Sequence, residues 1–159
     1  MRISVVVPVY NEEQTVAQVL TLLSRVPLTL EVIVVDDAST DRTWEILQEL
    51  RQQEPFNSYH YVRHEHNQGK GVGLRTGFGM VTGDLVTVQD ADMEYNPQDL
   101  PALLAKWEEM HAAGKERGRG LRLSRSLGAK IHNALGQSLP HCRYQHPLWQ
   151  PHPRHGDLL

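Results

Sequence analysis

The apolar positions of this chain fall in short unbroken runs rather than in strict alternation. Residues 2–10, "RISVVVPVY", read as a strand buried on both faces and closed by Pro8. Asn11 is then a candidate helix cap, with Glu12 and Glu13 in a first turn where the dipole favours acids. Val16, Val19, Leu20 and Leu23 follow at helical spacing. Residues 30–39, "LEVIVVDDAS", repeat the scheme, with Ser39, Thr40 and Asp41 as cap candidates and Trp44, Leu47 and Leu50 on the next helix. A third strand is expected over Tyr59–Arg63, followed by a glycine-rich turn and a short helix. "DLVTVQ" is the fourth strand, and a helix starts near Pro97 with Leu100, Leu103, Leu104 and Trp107 on one face. Strands of the buried type alternating with helices predict an α/β fold with a mostly parallel sheet and right-handed crossovers. Such sheets bind ligands beyond the carboxyl ends of their strands.

The acids cluster at those ends. Asp90 and Asp92 flank one small residue just past the fourth strand, with Glu94 close behind. Carboxylates at i and i+2 in a loop can turn towards one point, and hard oxygen ligands suit Mg²⁺ or Mn²⁺, which also bind substrate phosphates. The competing reading is a solvated acidic loop. A phosphatase that uses the first Asp as nucleophile normally has a Gly-Thr or similar pair next, where this chain has Met93-Glu94. Asp36-Asp37 closes the second strand, where a carboxylate can accept hydrogen bonds from ribose hydroxyls or a base N–H. Ordinary acids at a helix start are the alternative. A response-regulator receiver would carry its acidic pair after the first strand, which here ends in Pro8-Val9-Tyr10.

"HNQGKGVGLRTGFG" is no Walker A, because neither Ser nor Thr follows Lys70 and no Gly lies five places before Gly69. Nor is it a dinucleotide fingerprint, since the glycine after Gly71 and Gly73 is Gly77, one place late. Lys70 and Arg75 on flexible backbone could still hold a diphosphate, or be solvated bases at a helix start. His64-Glu65-His66 has the look of a metal pair, but a solvated strand edge is the expected reading.

Charge sharpens the picture. The net charge is −3, yet residues 1–115 carry 9 Lys+Arg against 17 Asp+Glu, and residues 116–159 carry 7 against 2. The acidic front argues against nucleic acid as a partner, which needs basic surface to neutralise phosphates. One cysteine, Cys142, allows no internal disulfide and points to a reducing compartment. No basic leader precedes the first strand, and no apolar run nears the ~20 residues that span a bilayer. The expectation is a soluble, cytoplasmic chain, at most peripheral at the cytoplasmic face of the membrane.

Four segments, "VVVPVYNEEQTV", "EVIVVDDASTDRTWEIL", "HNQGKGVGLRTGF" and "VQDADMEYNPQDLPALL", occur in an order that resembles family 2 inverting glycosyltransferases of the GT-A fold. They are most similar to dolichyl-phosphate mannose synthases and bacterial polyprenyl-phosphate glycosyltransferases. The resemblance implies a Rossmann-like GT-A nucleotide-sugar-binding half over residues 1–115. It places Pro8, Tyr10 and Glu12 in the nucleoside pocket, with Asp37 holding the nucleoside and Asp36 beside it. Lys70 would approach the diphosphate. Asp90 and Asp92 would be catalytic through a bound Mg²⁺ or Mn²⁺, with Glu94 the third metal candidate. The implied partners are a nucleotide diphosphate sugar of the GDP-mannose or UDP-glucose class and a polyprenyl phosphate at the membrane surface. No protein general base is needed, because a phosphate monoester with a second pKa near ~6 is already a competent nucleophile at neutral pH. A fragment that binds nucleotide without transferring sugar is the alternative.

From residue 116 the character changes. Four of the 9 prolines and five of the 9 histidines fall in residues 131–159, and periodicity is lost. An irregular tail outside the family is expected over residues 116–159. Read one base along, Arg119–Ser124, Gly136–His141 and Arg154–Leu159 can encode V-V-Y-G-S-R, G-N-R-F-L-T and D-M-E-T-C-Y, three segments of the resembled family in family order. A one-nucleotide slip near Lys115–Glu116 is the expectation that follows.

Overall fold

The computed structural model describes residues 1–112 together with His132 and Asn133. The expectations for the rest of 116–159 lie outside the described residues. Four strands, β1 (Ile3–Val9), β2 (Leu30–Asp36), β3 (His60–Arg63) and β4 (Leu85–Val88), run parallel in the order β3-β2-β1-β4. A two-residue β5 (His132–Asn133) pairs antiparallel with β4 at Leu85 and Val86. Helices α1 (Val16–Ser24), α2 (Thr43–Leu50), α3 (Lys70–Phe78) and α4 (Leu100–Ala112) fill the connections.

β1 sits between β2 and β4, which is why it reads as an unbroken apolar run. Val5, Val6 and Val7 are all fully buried although they point to alternate faces. One face packs Ile3, Val5, Val7 and Val9 against Val16, Val19, Leu20 and Leu23 of α1, Leu47 of α2, and Leu100, Leu103 and Leu104 of α4. On the other, Val6, Ile33, Val35 and Val86 meet Leu74 and Phe78 of α3. The strand order grows outward from β1 through β2 to β3 and then returns to place β4 on the opposite side of β1. That reversal opens a crevice at the carboxyl ends of β1 and β4, the place where open α/β sheets hold ligands.

The helix expected from Asn11 begins instead at Val16. Asn11 adopts a left-handed backbone (φ 55°), and its side chain accepts from the Thr40 backbone N–H at 2.8 Å. Its capping oxygen therefore serves the neighbouring loop rather than α1. The N-cap position of α2 is Arg42, and of the cap candidates Asp41, one residue earlier, accepts from Thr43 N at 2.9 Å at the start of the helix. Near Pro97 a 3₁₀ turn (Pro97–Asp99) precedes α4, with the Asn96 side chain accepting from Gln98 N.

Candidate functional site

Three loops meet at the carboxyl edge, and each contains a non-glycine residue in the left-handed region: Asn11, Ala38 and Met93, with φ of 55°, 59° and 62°. Such conformations persist only where surrounding bonds fix them. Residues 11–13 are zipped to residues 39–43. Asn11 N donates to Ser39 Oγ, Glu12 N to Thr43 Oγ1, Glu13 N to Asp41 Oδ2, and Arg42 N returns a bond to Glu13 Oε2. This zipper holds Tyr10 and Glu12 at the rim of a cleft of about 230 Å³.

Asp36 and Asp37 part company because successive strand residues face opposite ways. Asp36 is fully buried, ion-paired to Arg63 Nε at 3.1 Å and accepting from Ser39 N. Arg63 in turn lies over the Trp44 ring, 5.2 Å from its centroid. Asp36 thus holds the second loop in place and is not among the residues that line the cleft. Asp37 does line it. Its carboxylate takes the His64 ring Nδ1 at 2.7 Å, Gln68 N at 3.0 Å and Gly69 N at 2.7 Å. Burial opposes ionisation of Asp37, but the bonds from His64 and the two amides outweigh it and hold the carboxyl below its usual range.

His64 corrects the expectation of a solvated edge, since its side chain is only 8% exposed and both ring nitrogens are partnered. No local pattern marks it. The signal is the parallel register Asp36↔Arg63, which sets the residues following each pair side by side. His66 is exposed, as expected.

The β4 end is pinned from inside. Buried Gln89 donates its amide to the Asp90 and Tyr95 carbonyls at 3.1 and 2.8 Å, folding residues 90–95 into a loop around it. Asp90 and Asp92 both line the cleft, whereas exposed Glu94 does not, its backbone N–H donating instead to Asp92 Oδ1. Lys70, the first residue of α3, reaches Asp90 Oδ1 with its ammonium at 2.7 Å. Asp90 Oδ1 is itself enclosed, with the Lys70 ammonium against it. Pro8, Tyr10, Glu12, Asp37, Lys70, Asp90 and Asp92 therefore share one cleft, joined by Gly69 and Gly73 of the glycine-rich stretch and by Val9, Asn67 and Ala91, to which sequence reasoning gave no role.

Among the described residues no three His, Cys, Asp or Glu side chains converge as a metal-binding group. The cleft nonetheless suits a hard cation. Glu12, Asp37, Asp90 and Asp92 set four carboxylates against the one ammonium of Lys70. Such a lining repels a diphosphate unless a cation bridges the two, and Asp90 Oδ1 is a hard oxygen that a cation could share with or take from Lys70.

The sequence profile of glycosyl transferase family 2 matches residues 4–122. Undecaprenyl-phosphate 4-deoxy-4-formamido-L-arabinose transferase of Photorhabdus laumondii is 36% identical over 140 residues, covering 84% of this chain and 43% of that protein. Dolichol-phosphate mannosyltransferase of Pyrococcus furiosus is 36% identical over 109 residues, covering 65% of this chain and 29% of that one. The chain thus spans less than half the length of these relatives. Among solved structures, the Pyrobaculum calidifontis mannosyltransferase PcManGT with GDP-Man and Mn²⁺ superposes with a TM-score of 0.61 at 29% identity, over 74% of this chain and 33% of that one. S. aureus TarS 1-349 with UDP-GlcNAc gives 0.59 at 31% identity, over 70% and 32%. These neighbours are GT-A glycosyltransferases, and the α/β fold with its parallel sheet is what they share with this chain. With the profile spanning most of its length and the four segments gathered at one cleft, the chain belongs to glycosyl transferase family 2.

Proposed function

We propose that this chain is the nucleotide-diphosphate-sugar-binding half of a polyprenyl-phosphate glycosyltransferase working at the cytoplasmic face of a membrane. The observation that carries the proposal is the cleft itself, where Asp37, Lys70, Asp90 and Asp92 stand together at the reversal of strand order. Asp37 and the Gln68 and Gly69 amides organise the nucleoside end, beside Pro8, Tyr10 and Glu12. Lys70 supplies positive charge where the diphosphate lies. Asp90 and Asp92 would hold Mg²⁺ or Mn²⁺, which when bound stabilises the charge that develops on the leaving diphosphate. At about 230 Å³ the cleft falls below the ~300–1,000 Å³ of sites that enclose a ligand, so it holds part of a nucleotide sugar rather than all of it. The acceptor is a polyprenyl phosphate, whose dianion attacks the anomeric carbon without a protein base. Its alignment beside that carbon supplies most of the remaining rate enhancement. Among the described residues no helix is long and apolar enough to cross a membrane.

Donor-side residues in the cleft favour a second reading, nucleotide binding without transfer. Radiolabel passing from a nucleotide sugar to polyprenyl phosphate, catalysed by the purified 159-residue chain, would establish the first reading. Calorimetric binding of GDP or UDP with no transfer would establish the second, and absence of both would sink the pair. The same proposal divides the chain near residue 115 and assigns residues 116–159 to a shifted reading frame. Sequencing the coding DNA decides that point: stop codons scattered through the frame one base along would exclude it.

A further inference from the structure

We infer that His64 is a positioning residue for the cleft: its imidazole bridges Asp37 at the end of β2 and Thr76 on α3, and so fixes both the carboxylate and the helix start that carries Lys70. The inference rests on the nucleotide-binding reading of the cleft, but its geometry is independent of any ligand. Nδ1 lies 2.7 Å from Asp37 Oδ1, and Nε2 lies 2.9 Å from Thr76 Oγ1. The His64 backbone N–H donates to Asp36 O at 2.9 Å, which locks the imidazole's own base to β2. Three elements thus converge on one side chain.

Asp37 passes the constraint on. Its Oδ2 accepts from Gly69 N at 2.7 Å and its Oδ1 from Gln68 N at 3.0 Å. Gly69, at φ 86°, is the residue from which α3 departs, and its carbonyl accepts from Val72 N and Gly73 N. Lys70 follows immediately. The start of α3 is therefore held at two points, through Asp37 at Gly69 and through His64 at Thr76 in the second turn. A ring with polar atoms on opposite edges suits this bridge, because an apolar side chain of similar size fills the space but takes the ring's bond from Thr76 Oγ1 and leaves Asp37 Oδ1 with the Gln68 amide alone. Setting these groups before the ligand arrives spares the ligand the cost of ordering them.

The test reads backbone amides as well as affinity, in the full 159-residue chain. In His64→Leu, hydrogen exchange at Gln68 and Gly69 should rise about tenfold, the scale of one lost charge-assisted hydrogen bond, and GDP or UDP affinity should fall by a similar factor. Asn can place its amide nitrogen where Nδ1 stands, so His64→Asn should return both readouts towards wild type. Thr76→Val keeps the Asp37 leg and should speed exchange only at Val72 and Gly73. Wild-type exchange at Gln68 and Gly69 in His64→Leu would overturn the inference, as would a His64→Asn chain no better protected than His64→Leu. If His64→Leu does not fold, unchanged exchange at Val72 and Gly73 in Thr76→Val overturns it instead. Failure of the wild-type chain to bind GDP or UDP would count against the nucleotide-binding reading alone, since amide exchange still decides the role of His64.

Discussion

Within the cleft, Asp90 Oδ1 is enclosed and has the Lys70 ammonium 2.7 Å away, so a divalent cation drawn to that oxygen competes with Lys70 for it. Lys70→Met should therefore tighten binding of Mn²⁺ alone by several-fold while weakening GDP and UDP, as read by calorimetry. Mn²⁺ affinity no higher than wild type would remove the competition. If Asp90 and Asp92 grip the cation together, Asp92→Asn should abolish most of the Mn²⁺ dependence of nucleotide affinity and leave thermal stability within ~0.5 kcal/mol, as for an exposed residue. Equal nucleotide affinity with and without excess chelator in the wild-type chain would refute that assignment. The two ends of the ligand should respond differently. Lys70→Ala should spare binding of a free nucleoside, whereas Asp37→Ala should weaken nucleoside and nucleoside diphosphate alike, because Asp37 also anchors Gly69 next to Lys70. At this scale the acids were readable from sequence, since a charge directly after a buried strand has few other reasons to be there. The split between Asp36 and Asp37 was not, because it depends on which face of β2 meets Arg63. His64 was hidden for a related reason, its partners lying 27 and 12 residues away.

Among the elements, α3 shows how closely the chain is fitted to the sheet. A Cβ at Gly77 would collide with Val6 Cγ1, and Val6 is fully buried in the central strand with no room to shift. One turn earlier, a Cβ at Gly73 would find Val35 Cγ1 at 3.9 Å and Pro8 Cβ at 4.0 Å, ordinary contact. Both glycines are helical, so alanine offers up to ~1 kcal/mol of helix propensity at either position. Overpacking at Gly77 costs ~1–3 kcal/mol and should prevail there. Urea unfolding should accordingly find Gly77→Ala destabilised and Gly73→Ala neutral or stabilised, and equal stabilities would contradict the packing described. The glycines stood out in the sequence, and a phosphate loop was the obvious thing to weigh. Only the packed helix shows that Gly77 is there for Val6. The strands and α4 were legible because apolar runs and a one-faced leucine pattern are local signals. The start of α1 was not, because Asn11 and Thr40 satisfy each other across two loops, a bond that no window along the chain contains.

Across the whole molecule, carboxylates tie down both ends of the sheet. Opposite the cleft, Glu31 accepts from Ser4 Oγ, from Thr82 N at 2.8 Å and from Thr82 Oγ1, with Arg2 Nη2 3.6 Å away. These bonds fasten the α3–β4 connection to β1 and β2, just where β4 turns back to join the sheet. Burial raises the pKa of Glu31, but the Ser4 and Thr82 bonds and the charge of Arg2 more than offset it, and the net direction is downward. The carboxyls of Asp37 and Asp41 are lowered in the same way, burial being outweighed by hydrogen bonds from His64, Gln68 and Gly69 in one case and from Thr43 and Glu13 in the other. A group whose pKa is lower in the folded chain than in the unfolded chain binds its proton less readily when folded. Its stabilisation is complete above the unfolded value, about 3.9 for Asp and 4.3 for Glu, and drains away as pH falls through the folded value. The thermal midpoint should therefore be insensitive to these three groups above pH ~5 and fall steeply below ~4. Glu31→Gln isolates one of them. It removes the charge but keeps the shape, so at pH 7 it should cost ~1.5–3 kcal/mol, the range for hydrogen bonds to a charged group. As acid neutralises Glu31 in the wild-type chain, the gap between the two midpoints should narrow. A gap that stays constant down to pH 3 would mean that Glu31 contributes through packing rather than through its charge.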